Sequence, residues 1–297
     1  MQYPHIGVEP AAALMTMIAF GLIFPIGMLI FWKIKSKQPI SVFICGAVIF
    51  FVFAGLLESG LLGVLTAFVK PFAKLLEDST PAYVAIGALA AGLFEETGRW
   101  LAFKKFLKKH TDRDASIAYG IGHGGFEAMF VLVLSSASML MYTVMINSGQ
   151  FGTLVDQIAA TSPDQVETIK AIPDQIAAMS MTSVIPGLVE RISAMMIHIS
   201  LSMIVFCGAR IKGKGYMYPL AILLHALIDV PAAMYQKGVI TNIVVFEICF
   251  FAAAAVMLVL AYKIVYKGMM SGLVTERKGA EDFPMYVEKD PETPANG

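Results

Sequence analysis

The sequence predicts an all-α, polytopic membrane bundle of about seven transmembrane helices, with the N-terminus outside and the C-terminus in the cytoplasm. Three observations carry this expectation. The 297 residues are 57% hydrophobic and only 15% charged, with a mean hydropathy of +0.72, which is too apolar for an ordinary soluble domain. Several apolar runs reach the ~20 residues that a ~30 Å hydrocarbon core requires. Basic residues crowd into alternate connections, the pattern of loops retained on the cytoplasmic side.

Taken in order, the spans fall at about residues 9–32, 40–68, 81–103, 114–146, 184–209, 216–235 and 239–266. Lys33, Lys35 and Lys37 follow the first span. Lys104, Lys105, Lys108, Lys109 and Arg113 separate the third from the fourth, and Arg210, Lys212 and Lys214 follow the fifth. The alternate connections hold only Lys70, Lys74, Lys170 and Lys237, so the basic loops are assigned to the cytoplasm. The first 32 residues contain no Lys or Arg, which reads as a retained first helix rather than a cleaved signal. A bacterial plasma membrane is the expected location.

Residues 1–270 form the membrane domain in this reading. Its longest external connection, 147–183, should carry short surface helices, with Ser162 as N-cap, Pro163 at the first helical position and Gln165 as the capping partner. Residues 271–297 are polar, contain Pro and show no apolar period, and so predict a flexible cytoplasmic tail. Cys45, Cys207 and Cys249 all lie within apolar runs and read as buried core thiols. No nucleic-acid motif is present, and a formal net charge of zero offers no basic surface for one.

Charges inside the spans point to function. Glu95, Glu96, Arg99, Glu127 and Asp229 all fall within apolar segments. Each charged group near mid-bilayer costs about 2.5–3.5 kcal/mol on insertion scales, so they must be paired or turned toward water. Glu95, His123 and His225 lie at a common depth, about 13 Å from the cytoplasmic ends of their helices, with His198 and Asp229 slightly deeper. Tyr119, His123 and Glu127 repeat at i, i+4 spacing, and Gly120, Gly122, Gly124 and Gly125 allow another helix to approach the imidazole. His225 and Asp229 share a face, as do Glu95 and Arg99, whereas Glu96 is rotated by about 100°. A shielded carboxylate beside an imidazole can deprotonate water, and His225 with Asp229 can receive a developing oxyanion. That is equipment for amide hydrolysis.

The motifs "EETGR", "YGIGH" and "HALID", in this order on successive helices, resemble the superfamily of glutamic intramembrane proteases. That superfamily includes the CAAX-processing and bacteriocin-processing enzymes, and the match is nearest to its YhfC family, with kinship to the PrsW type. The resemblance spans roughly residues 81–235. It implies Glu95 as general base acting with His123 on water, His225 and Asp229 as the oxyanion or carbonyl site, and Arg99 as the group that holds the glutamate pair. The chain has EExxR where the CAAX pattern is EExxxR, which leaves open which of Glu95 and Glu96 is catalytic. The substrate would be a membrane protein or peptide, and no cofactor is required.

A metal-dependent alternative uses the same residue types. His123, His198, His225 and the carboxylates offer ligands for zinc, although no HExxH motif is present. A non-enzymatic scaffold or transporter is the third reading. His198 is either a further site histidine or a packing group bonded to Ser200 or Ser202, and Glu127 either locks His123 or joins the site. Glu58, Glu190, Arg191 and Glu247 lie in the outer halves of their spans and read as a structural charge cluster in which an acid neutralises Arg191.

Overall fold

The computed structural model describes residues 3–274 as an all-helical bundle. Among these residues, six helices are long and apolar enough to cross a membrane: α1 (Val8–Ser36), α2 (Ile40–Phe68), α5 (Asp114–Asn147), α9 (Ile185–Arg210), α10 (Met217–Gln236) and α11 (Ile243–Met269). A further helix, α4 (Thr80–Leu101), has 22 residues and the length to span. The glutamate pair and Arg99 at its C-terminal end set it apart from the six apolar spans. The expected tail lies mostly outside the described residues.

Helix α9 is the axis. Almost all of its surface is covered by neighbours, and its Ser193, Ser200 and Ser202 hydroxyls donate to the carbonyls of Val189, Met196 and His198. This local bonding lets small polar residues sit in an apolar interior without stray donors. Around α9 stand α4, α5, α10 and α11, with α1 and α2 backing α5.

Glycine determines how closely these helices meet. A Cβ on Gly46 of α2 would lie 2.3 Å from the Tyr119 carbonyl oxygen, and one on Gly122 would lie 2.0 Å from that of Phe43. The glycines of α5 face several partners. Gly120 abuts the Ile199 backbone, Gly124 the His198 ring and Gly125 Pro25. On the other side, Gly92 brings α4 against the Ile222 carbonyl of α10, at 2.7 Å from a built Cβ. The close approach expected around His123 is therefore present, and it is shared among α1, α2 and α9.

The 147–183 connection forms the short helices α6 (Phe151–Thr161), α7 (Val166–Lys170) and α8 (Ile172–Ala177), and a further amphipathic helix, α3 (Lys70–Asp78), joins α2 to α4. Ser162 makes no side-chain cap. A 3₁₀ turn at Pro163–Gln165 intervenes, and Gln165 N–H bonds the Ser162 carbonyl instead. Asn147 clasps the N-terminal segment by accepting from Ile6 N–H at 2.8 Å and donating to its carbonyl at 3.0 Å. Of the cysteines, Cys207 is buried, Cys45 half-buried and Cys249 exposed. The core-thiol expectation thus holds for Cys207 only, because an apolar run in a bilayer has a lipid face as well as a packed one.

At the basic end of the bundle, Arg210 closes the C-terminus of α4. Its guanidinium donates to the carbonyls of Phe103 at 2.8 Å, Leu107 at 2.6 Å and His110 at 3.1 and 3.2 Å. These are carbonyls left over where the helix ends. Arg210→Ala should cost about 1–3 kcal/mol, the usual penalty for unsatisfied buried acceptors, read as a lowered unfolding temperature in detergent. Arg210→Lys should recover only part of it, since an ammonium cannot fork across three acceptors.

Candidate active site

Four helices deliver the functional groups. Glu95, Glu96 and Arg99 come from α4, Tyr119, His123 and Glu127 from α5, Arg191 and His198 from α9, and His225 and Asp229 from α10. Glu95, Glu96, Arg99, His123, His198 and His225 are all buried.

The adjacent glutamates go separate ways, as their rotation about α4 requires. Glu95 Oε2 lies 2.8 Å from His123 Nε2 and 3.8 Å from His198 Nδ1. Glu96 Oε1 lies 2.7 Å from His225 Nδ1 and also pairs with Arg99 Nη1. Arg99 approaches Glu95 no closer than 4.0 Å. Arg99 thus stands between the two glutamates, close to Glu96 at i, i+3 and at 4.0 Å from Glu95 at i, i+4, both spacings being able to bring helix residues together. Glu96 is fully buried, whereas Glu95 reaches a cavity.

The His198 ring is not bonded to Ser200 or Ser202, whose hydroxyls donate to the backbone carbonyls of Met196 and His198. Its Nε2 contacts the Glu127 carboxylate and its Nδ1 turns toward Glu95 and Arg99 Nη2, the latter at 3.1 Å. Glu127 thus holds His198 and not His123. The other Glu127 oxygen accepts from Arg191 Nη1 at 2.7 Å, and Arg191 Nη2 donates to Glu190 at 2.5 Å. Acids neutralise Arg191 as expected, but the pairing runs into the site instead of forming a separate outer cluster. Arg191 lies seven residues before His198, two helical turns on one face, and that spacing was the available signal.

His225 sits between carboxylates, with Nε2 3.4 Å from Asp229 Oδ2. Glu58, on α2, lies within electrostatic range of Glu95, His225 and Asp229. Tyr119 packs on Phe103 with ring centroids 4.7 Å apart, and its ring centroid is 5.8 Å from that of His123. Its hydroxyl has no hydrogen-bond partner, nor has His123 Nδ1.

One carboxylate and two imidazoles converge: donor atoms of Glu95, His123 and His198 lie within 4.8 Å of one another. Three N/O ligands that leave a coordination position free are the donor set of a catalytic zinc site. The Glu127–His198 contact is the carboxylate–histidine arrangement that fixes a ligand's tautomer, since a proton on Nε2 leaves the Nδ1 lone pair facing Glu95. The residues fit a divalent cation in type, burial and convergence. Arg99 Nη2 shares the same Nδ1 lone pair, so an ion there would displace that one hydrogen bond while Glu96 keeps its hold on the guanidinium.

Fold and site together define a polytopic membrane protein with a buried imidazole–carboxylate centre suited to hydrolysis. The family model for YhfC, described as intramembrane metalloprotease, matches residues 20–250, and the chain belongs to this family. It is 37% identical over 231 residues to the Bacillus subtilis (strain 168) protein named "Uncharacterized membrane protein YhfC", covering 77% of this chain and 86% of that one. No solved structure matches. The family description names metal-dependent chemistry, and with the convergence of two imidazoles on Glu95 it favours the zinc alternative over the glutamate-only mechanism implied by the motif resemblance.

Proposed function

We propose that this integral membrane protein is a metal-dependent intramembrane endopeptidase, with Glu95, His123 and His198 holding one divalent cation, zinc by donor type. The observation that carries the reading is the convergence of those three buried donors within 4.8 Å. The substrate class is a membrane protein or membrane-associated peptide. The bundle is read as seven spans, α4 included, with the N-terminus outside because the basic connections belong to the cytoplasm.

Zinc in such a site supplies a Lewis acid and lowers the pKa of a bound water to about 7. The chain's own residues do the rest. Glu127 keeps His198 in the tautomer whose Nδ1 faces Glu95. Glu96 anchors both Arg99 and His225, so two cationic or hydrogen-bonding groups are fixed from one fully buried carboxylate. His225, held on Nδ1 by Glu96, presents Nε2 to Asp229 and the cavity, where its Nε2–H, together with a protonated Asp229, can donate to the oxyanion of the attacked carbonyl, and the imidazolium can hand its proton to the departing amine.

The 2.8 Å bond between Glu95 and His123 also supports a second reading, in which those two residues activate water without metal. Metal analysis of the purified protein, with cleavage assayed before and after a strong chelator, separates the two. The proposal expects loss of cleavage on chelation and its return with zinc. Cleavage by metal-free protein would transfer the chemistry to Glu95 and His123 alone. A non-catalytic scaffold or transporter would release no fragment in either state.

The contact with Glu127 makes a graded prediction. Glu127→Gln should lower metal affinity about 10–100-fold, the usual effect of losing a partner that orients a ligand histidine, measured by competition with a chromogenic chelator. Arg191 then loses one of its two acids as well.

A further inference from the structure

Among the described residues, the buried centre is packed on one side and borders a cavity on another. On the side of the basic connections, Phe103, Tyr119 and Phe206 are fully buried, with Phe103 tilted against Tyr119 at 4.7 Å between ring centroids and edge to face with Phe206 at 5.1 Å. Leu201, Met203 and Val205 fill the space beside them. On the other side lies a cavity of about 100 Å³, lined by Glu95, Glu127, His198, Asp229, Glu190 and Arg191 among others. Side-chain exposure rises along it, from 9% at Glu95 to 17% at Glu127, 31% at Asp229 and 34% at Glu190.

The mouth lies toward the end of the bundle away from the basic loops. Arg191 is six residues from the start of α9, and Asp229 is seven from the end of α10, which puts each about 9–11 Å from that end. Two polar atoms in this region have no protein partner although they are buried: Arg191 Nε and Glu247 Oε2. Such atoms are normally satisfied by water, and four carboxylates lining a passage with one guanidinium are not stable in hydrocarbon.

We propose that water and small cations reach the Glu95–His123–His198 centre through the Glu190–Arg191–Asp229 vestibule, from the membrane face opposite the basic loops. The hydrolytic centre, set in the half of the bundle nearer those loops, is thus supplied from the far side. This concerns access and does not require the proposed peptidase activity.

The test uses single cysteines placed in the full chain after Cys45, Cys207 and Cys249 are replaced by Ala. Glu190→Cys, Asp229→Cys and Ala194→Cys report the vestibule, with Ala194 one turn deeper than Glu190, and Lys108→Cys reports the basic end. The probe is a trimethylammonium methanethiosulfonate, which does not cross bilayers and is attacked by thiolates, forming a disulfide and releasing methanesulfinate, so it reacts only where water ionises the thiol. In sealed vesicles of both orientations, the three vestibule cysteines should react at least about tenfold faster from the face on which Lys108→Cys is protected, given that thiolate dependence. Reaction from the Lys108 face would overturn the proposal. So would silence of Asp229→Cys and Ala194→Cys from both faces when the denatured proteins label fully. If Asp229→Cys does not insert, Ala194→Cys decides, because it adds only a small side chain at a cavity-lining position.

Discussion

Glu95→Gln is expected to leave the bundle folded and to empty it of metal. Glutamine has the shape of glutamate and keeps a carbonyl that can accept from His123 Nε2–H, so the helix contacts around α4 survive. Its neutral amide is a poor cation ligand. Partners that merely orient a ligand change affinity about 10–100-fold, and loss of an anionic ligand should exceed that range. Metal content should therefore fall from about one ion per chain to a small fraction of it, given a site of three protein donors, and cleavage should fall with it. Unfolding in detergent, followed without added metal, should change little. Retained metal at full stoichiometry would remove Glu95 from the ligand set.

Gly122→Ala should have the largest structural effect. A methyl there would sit 2.0 Å from the Phe43 carbonyl oxygen and within 2.7 Å of its carbonyl carbon and Cα. These are backbone atoms of α2, which cannot rotate away, so the helices must separate. Overpacking of this kind costs about 1–3 kcal/mol and more where backbone is obstructed. His123 is the next residue, and its backbone N is already 2.8 Å from the place a Cβ on Gly46 would occupy. Separation of α2 from α5 therefore carries the imidazole away from Glu95. Gly87→Ala is the comparison: nothing lies within 4 Å of its Cβ, and the change should be neutral or stabilising by at most about 1 kcal/mol through helix propensity. Thermal unfolding of the two variants in one detergent measures the contrast.

Much of the site was legible before any coordinates because a bilayer makes charge conspicuous. Glu95, Glu96, His123, His225 and Asp229 stand out in apolar spans, with Glu95, His123 and His225 at one depth and Asp229 slightly deeper, and the structure brings them together. What could not be read was the pairing. A helix lets a residue contact either i+3 or i+4, so the spacing left open how closely Arg99 holds each glutamate; the histidines on α5 and α10 decide it by drawing Glu95 and Glu96 to opposite sides. His198 was readable by depth but not by partner, since its link to Glu127 crosses two helices. The exposure of Cys249 has a plain cause: hydropathy reports that a segment is in the membrane, and says little about which face packs.

The position of α4 illustrates the same limit from the other side. Its charged residues lower its hydropathy, so a helix that brings three residues to the candidate site is the least membrane-like of the long helices. Its packing compensates: Gly92 brings it onto α10, and Gly98 onto Phe53 and Ile49 of α2. Burial against protein, not lipid, accommodates the Glu96–Arg99–His225 group.

X-ray absorption at the zinc edge of the purified, zinc-loaded protein tests the central claim most directly. The account predicts one zinc per chain surrounded by nitrogen and oxygen only, with the outer-sphere scattering of two imidazoles, reduced to one in His198→Ala. A protein that takes up no zinc, or a spectrum that His198→Ala and His123→Ala leave unchanged, would contradict it.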